Sequence, residues 1–313
     1  MRTVILGGGG FIGKNLVREL LSNTTREVTV IDSFVNSDQQ KFMELFPKVR
    51  TINADLTSMN DFDEIIQGAD PNEIYHLAAN SDIRLSSVDP IHDLKNTFMT
   101  TARLVAILPD LNKPSVFFAS SSAVYGIKDG PVAEISTPNP ISSYGWMKYT
   151  SEVLLNDYFA RDYIRKLVIF RFPNVVGDHM THGVIFDLIN KIRSNPDILE
   201  VLGDGTQEKP YVLASDLARV ISQSIREELF VSGTYNISAN DRSKVSEIVK
   251  AICRITELNP IVIYGSSRSG WKGDVVEYEL ITTKISSSIL APNFTPSADA
   301  IEKAIKSYWQ ETK

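Results

Sequence analysis

Three glycines at a fixed spacing, Gly7, Gly10 and Gly13, constrain this chain more than any other feature. They follow the apolar run Val4-Ile5-Leu6 and open an apolar-periodic segment. That order reads as a strand, a tight turn and a helix whose amino end is directed at whatever lies above the turn. A missing side chain serves a different purpose at each step: one glycine turns the backbone, a second lets it approach an anion, and a third lets the helix pack close on its strand. A second apolar run, Val28-Thr29-Val30-Ile31, ends at Asp32, 19 positions beyond Gly13. A carboxylate there can accept hydrogen bonds from both hydroxyls of an adenosine ribose and would repel a 2′-phosphate, so the expected ligand is NAD rather than NADP.

The strand-helix pattern then repeats. Short β-rich stretches at 3–6, 27–31, 49–53, 73–77, 115–119 and 167–170 alternate with helix-like segments at 14–22, 61–68, 91–108 and 144–161. Strands joined by crossover helices make an open α/β sheet of the Rossmann type, doubly wound, with ligands above the carboxyl ends of the strands. Beyond residue 172 the regularity weakens: Pro173, Pro196, Pro210, Pro260, Pro292 and Pro296 interrupt it, helices are expected at 184–194 and 216–228, and Gly203-Asp204-Gly205 reads as a turn. We expect residues 1–175, with a returning segment near 216–240, to form the dinucleotide-binding domain. Residues 176–215 and 241–313 would form a smaller, less regular α+β substrate lobe. The serine-rich pieces at 266–269 and 286–288 are too short to be linkers.

Composition narrows the partners. With 313 residues and 43% hydrophobic content a sizeable core is available. A formal net charge of −6 and a pI near 5.4 argue against nucleic acid or an anionic membrane as the main partner. No apolar stretch approaches the roughly 20 residues of a membrane span and no basic-then-apolar leader precedes the first strand, so a cytoplasmic location is expected. Cys253 is the single cysteine, which excludes an intrachain disulfide, and its place in the periodic 248–255 segment suggests a packed thiol. His76, His92, His179 and His182 show no metal-site spacing, and no metal is expected.

The residues that could carry chemistry follow strands. Asp55 and Leu56, after the third strand, could place a carboxylate against an adenine amino group, although Asp55 or Thr57 would serve equally as a helix cap. Leu77, Ala78 and Ala79 end the fourth strand with side chains that would let a cofactor lie close. Tyr144 and Lys148 are four apart on a helix and project from one face. A phenol is a poor base at neutral pH, but a neighbouring ammonium and an oxidised nicotinamide would both favour the phenolate. Tyr144 could then take a proton from an alcohol, with a hydroxyl of the Ser120-Ser121-Ser122 tract fixing the same oxygen.

Together with Val124-Tyr125-Gly126 and Arg171-Phe172-Pro173-Asn174-Val175-Val176-Gly177, these motifs resemble the extended short-chain dehydrogenase/reductase family, and within it the nucleotide-sugar epimerases of the UDP-glucose 4-epimerase type. The resemblance runs nearly end to end, through Gly203-Asp204-Gly205-Thr206-Gln207 and Gly270-Trp271-Lys272-Gly273-Asp274-Val275. It implies NAD held by Gly7, Gly10, Phe11, Ile12, Gly13, Asp32, Asp55, Leu56, Leu77, Ala78, Ala79, Asn96 and Lys148. It makes Tyr144 the base, Lys148 its electrostatic partner and Ser121 the catalytic hydroxyl, with Ser122 as the alternative. On the substrate side it implies Ser121, Ser122, Tyr144, Asn174, Lys209 and Arg268 around a nucleotide-diphosphate sugar, with Tyr278 a candidate for narrowing the sugar pocket. A homodimer through the segments 91–108 and 144–161 is also implied.

The chain departs from the family at Leu6, Met99, Val176, Asp178 and Pro210, none of them a proton-transfer group. Ser122-Ala123 stand where the 4,6-dehydratases carry Asp-Glu, which leaves epimerisation at C4 as the leading reaction. A nucleotide-sugar dehydrogenase or reductase, or a non-catalytic NAD-binding protein, remain as alternatives.

Overall fold

The computed structural model describes residues 1–22, 26–58, 62–80, 83, 88–226, 230–271, 273–286 and 293–311. Of the positions singled out above, Lys272, Ser287, Ser288 and Pro292 lie outside the described residues. The strands are β1 (Arg2–Leu6), β2 (Glu27–Asp32), β3 (Arg50–Asn53), β4 (Glu73–His76), β5 (Ser115–Ser121), β6 (Lys166–Phe172), β7 (Asn174–Val176), β8 (Ile198–Val201), β9 (Glu208–Lys209), β10 (Tyr211–Leu213), β11 (Gly233–Asn236), β12 (Ser243–Lys244) and β13 (Ile261–Tyr264). Seven of them make one sheet in the order β11-β6-β5-β4-β1-β2-β3, parallel throughout. The order reverses beside β1, which is where such a sheet opens a crevice.

Helices α1 (Phe11–Ser22), α2 (Gln39–Leu45), α3 (Phe62–Ala69), α4 (Pro90–Asp93), α5 (Thr100–Ile107), α6 (Ser143–Ala160), α7 (Val184–Ser194), α8 (Ala214–Arg226), α9 (Val245–Thr256), α10 (Thr283–Ser286) and α11 (Ser297–Glu311) complete the fold. Successive residues of β1 face opposite ways and are buried on both. Ile5 packs with Leu16, Val17 and Leu20 of α1 and Leu217 and Ile221 of α8. Val4 and Leu6 pack with Ile66 of α3, Leu104 of α5 and Leu155 of α6. Each fully buried aliphatic side chain contributes about 1.5–3 kcal/mol of transfer free energy. This double coverage explains the uninterrupted apolar strands.

A separate core joins α7, α9 and α11 to β8 and β10, built on Ile189, Leu199, Val212's neighbour Tyr211, Ile252 and Ile305. Cys253 is half-buried against it, a free thiol whose ionisation burial opposes. The remaining strands form small pairs, β7 with β10, β9 with β12 and β8 with β13.

Two features differ from the expectation. Helices α2 and α11 were not anticipated, although Ala300, Ile301, Ala304, Ile305 and Tyr308 bury one stripe of α11 at helical spacing. The segment expected as one helix over 91–108 is α4, a π turn at Leu94–Met99, and then α5. Side chains here compete for carbonyls of the helix ladder: Asn96 Nδ2 donates to the His92 carbonyl at 3.0 Å and Thr100 Oγ1 to that of Thr97 at 2.8 Å.

Candidate active site

A single cavity of about 960 Å³ runs from the glycine turn to the C-terminal half of the chain. At its floor the three glycines divide the labour. Gly7 has φ +80°, and a Cβ on it would lie 2.6 Å from the Ala78 nitrogen. A Cβ on Gly13 would lie 2.5 Å from the Gly8 carbonyl oxygen, so this glycine lets α1 pack on the turn. At Gly10 a Cβ would meet only the Gly7 oxygen, at 3.4 Å; the protein leaves that space to the cavity.

Asp32 lines the same space, and its carboxylate accepts the Gly9 amide at 2.9 Å and the Phe34 amide at 2.8 Å. Burial pushes its pKa up against the pull of those amides. Leu56, Leu77, Ala78, Ala79 and Asn96 also line the cavity. So does Asp55, but its Oδ1 is taken by the Thr57 amide and hydroxyl, both at 2.8 Å, a local turn rather than the helix cap that was the other reading.

Tyr144 stands in the first turn of α6, which Ser142 caps by accepting the Gly145 amide. Ser121, at the end of β5, lines the cavity beside Tyr144 and favours its ionised form. Ser122 and the Asn174 main chain act in the same way on the Tyr278 hydroxyl, which burial pushes up to about 12. Lys148, one turn beyond Tyr144, is buried; its Nζ donates to the Ala119 carbonyl at 2.6 Å and lies 5.8 Å from the Tyr144 ring.

The electrostatics differ from the expectation. Burial raises the Tyr144 pKa well above that of a free phenol, and the neighbouring Ser121 hydroxyl only partly opposes it. Lys148 is itself brought down to about 7 by burial, with Glu152 acting the other way. Desolvation penalises both charged forms and is the largest cause in each. Below Lys148, His76 is driven to about 3 and is neutral.

On the other side of the cavity Asn174, Lys209, Trp271 and Tyr278 line the wall. Lys209 Nζ is paired with Asp274 at 2.5 Å in a nearly buried contact. Arg268 does not reach the site. It is exposed, bound to Glu277 at 2.7 Å, and is absent from the lining, because its segment turns outward beside Asp204.

Residues 3–238 match the NAD dependent epimerase/dehydratase family. The chain belongs to that family. It is 29% identical to an uncharacterized UDP-glucose epimerase of Bacillus subtilis over 80% of this chain and 81% of that one. It is 29% identical to a putative UDP-glucose 4-epimerase of Methanocaldococcus jannaschii, over 85% and 86%. Among solved structures, one of UDP-galactose 4-epimerase superposes with a TM-score of 0.87 at 29% identity, covering both chains fully.

NAD is the cofactor of this family, and the residues present suit it. The unfilled space at Gly10, the amino end of α1 and the Asp32 carboxylate make a cradle for a dinucleotide. Spacing alone did not bring out two further groups. Glu152 shares the buried face of α6 with Tyr144 and Lys148 at i, i+4 and i+8, and holds Arg171 through Nε at 2.9 Å and Nη2 at 2.5 Å. Asp93 occupies the inward phase of its helix with Thr97 and Thr101, a periodicity that the sequence does carry.

Proposed function

We propose that this chain epimerises a nucleotide-diphosphate sugar at C4 through a transient keto sugar. The observation that carries the reading is one cavity lined together by the glycine turn, Asp32, Ser121, Tyr144 and Lys148. Bound in that turn, NAD supplies a two-electron acceptor that returns what it takes. Tyr144 removes the proton of the sugar hydroxyl and later restores it, and Ser121 holds the reacting oxygen. Lys148 sits where a positive charge would favour the phenolate. Relatives that carry the name UDP-glucose 4-epimerase support the choice of reaction.

The test is to incubate the purified protein with UDP-glucose or UDP-galactose, without added cofactor, and to follow the sugar by NMR. Interconversion with no net NADH is expected. Stoichiometric NADH with one oxidised product would replace the epimerase by a dehydrogenase, and bound NAD with no turnover across a panel of nucleotide sugars would overturn catalysis altogether.

Lys209 is the cation we assign to the diphosphate. Lys209→Met is expected to raise KM roughly 10-fold or more, the worth of one charge-assisted hydrogen bond, whereas Arg268→Ala should change KM less than twofold. Equal effects would remove Lys209 from the site. We further propose a homodimer: Ile91 of α4, Leu94 of the π turn, and Trp146 and Val153 of α6 are exposed apolar residues on neighbouring elements. Light scattering on a size-exclusion column should give twice the chain mass at micromolar concentration; a monomer would refute it.

A further inference from the structure

The C-terminal wall of the cavity carries an aromatic ring that the proposed reaction does not use. Trp271 lines the cavity and is half-buried. Its loop has neither helix nor strand to fix its direction, and a single carboxylate does so instead. Asp274 accepts the Gly270 amide at 3.1 Å and pairs with Lys209 of β9, while its own amide donates to the Trp271 carbonyl at 3.2 Å. The loop is thereby tied to the cation we assign to the diphosphate.

A second neighbour places the ring itself. Gly273 has φ +95°, and the point where its Cβ would stand is 3.3 Å from Trp271 Cζ3, 3.4 Å from the Ile141 carbonyl oxygen and 3.8 Å from Ser142 Cβ. The benzo edge of the indole therefore folds over Gly273 towards the residues that lead into α6, whose first turn carries Tyr144. Ile141, Ser142 and Tyr144 line the same cavity. Trp271 is held between two landmarks, Lys209 on one side and the amino end of the helix that bears the base on the other. In a nucleotide-diphosphate sugar the group between the diphosphate and the reacting C4 is the pyranose ring, and the nucleoside lies on the far side of the phosphates.

We propose that Trp271 is a specificity-determining residue whose indole stacks on the pyranose of the nucleotide-diphosphate sugar. This rests on the substrate class proposed above. The C–H bonds of a pyranose leave apolar surface between its hydroxyls, and a flat aromatic side chain with two rotatable bonds covers such surface at little cost in conformational entropy. The contact is not directional. It therefore holds the ring whichever way the C4 hydroxyl points, as a site that takes both epimers requires, and it leaves the recognition of hydroxyls to the serines and tyrosines of the cavity.

The test is calorimetric titration of the NAD-loaded protein with UDP-glucose, UDP-galactose and UDP. Trp271→Leu is expected to weaken both UDP-sugars by about 10-fold, the worth of one well-placed aromatic contact, and UDP by less than about twofold. Trp271→Phe, which keeps a ring, should recover most of the loss. Equal weakening of UDP and UDP-glucose overturns the proposal, since the ring would then serve the nucleoside or the diphosphate, or the loop would have been lost. An unchanged affinity in Trp271→Leu, or an equal loss in the Leu and Phe variants, overturns it too. If Trp271→Leu does not fold, tryptophan fluorescence carries the comparison: UDP-glucose should change the emission of the unchanged protein more than UDP does, and a difference that persists in Trp271→Phe would remove Trp271 from the sugar. Binding is read without turnover, so a protein that binds both sugars and converts neither counts against the proposed reaction while the titration still decides Trp271. A protein that binds none of the three ligands overturns the substrate class and the stack together.

Discussion

Tyr144→Phe is expected to lower kcat by about 10²–10⁴-fold, the range found when a general base is removed, and to leave NAD binding and the melting temperature unchanged. The substitution deletes one oxygen that borders the cavity and no atom of a packed core. Burial holds the phenol protonated in the free chain, and Lys148, brought down to about 7, is only partly charged at neutral pH. The base would therefore have to be made by what binds: the substrate alcohol, and the positive charge that oxidised NAD would bring into the cavity. NMR turnover of the variant decides the matter: residual activity above a tenth of the unchanged rate would take the proton-transfer role from Tyr144.

The second large effect lies beneath the site. Arg171 and Glu152 are nearly buried, at 6% and 3% side-chain exposure, and the pair is tied to Ser120, to the Glu134 carbonyl and to the Tyr125 ring. Removing Glu152 alone strands a guanidinium in the interior, and Glu152→Leu should cost about 3–5 kcal/mol, a melting temperature lower by on the order of 10 °C. Arg171→Met with Glu152→Leu should recover most of that loss, since an apolar pair of similar volume replaces a buried ion pair at little net cost. Activity should not return with stability, because Glu152 supports the charge on Lys148. Denaturant unfolding of the two single variants and the double variant checks the first part. A single-variant cost under about 1 kcal/mol would show that the pair is solvated in practice.

Much of this was legible in the sequence, and for a definable reason. A strand buried on both faces has to be apolar along its length, a tight turn under a helix has to be glycine, and two groups on one helix face have to be three or four apart. These are local requirements, and they placed β1 to β6, the turn at Gly7 to Gly13, and the Tyr144–Lys148 pair. The site's two serines are ambiguous in sequence because they are adjacent at the end of β5; in the fold Ser121 acts on Tyr144 and Ser122 on Tyr278. Arg268 was expected at the cleft on alignment of a loop, and loops carry no periodicity that fixes their direction.

By itself, then, the sequence determined the doubly wound sheet, the glycine cradle and the helix face that presents a phenol and an ammonium, since each follows from the backbone of a few neighbouring residues. Only the tertiary structure decided the charges and the partners. Burial depends on what the other elements cover, and it turned Lys148 and Tyr144 away from ionisation, closed Lys209 on Asp274, sent Arg268 to the surface and left Asp93 of α4 with an unpaired oxygen. A pKa or an ion pair is a property of distances across the chain, and no stretch of neighbouring residues contains them.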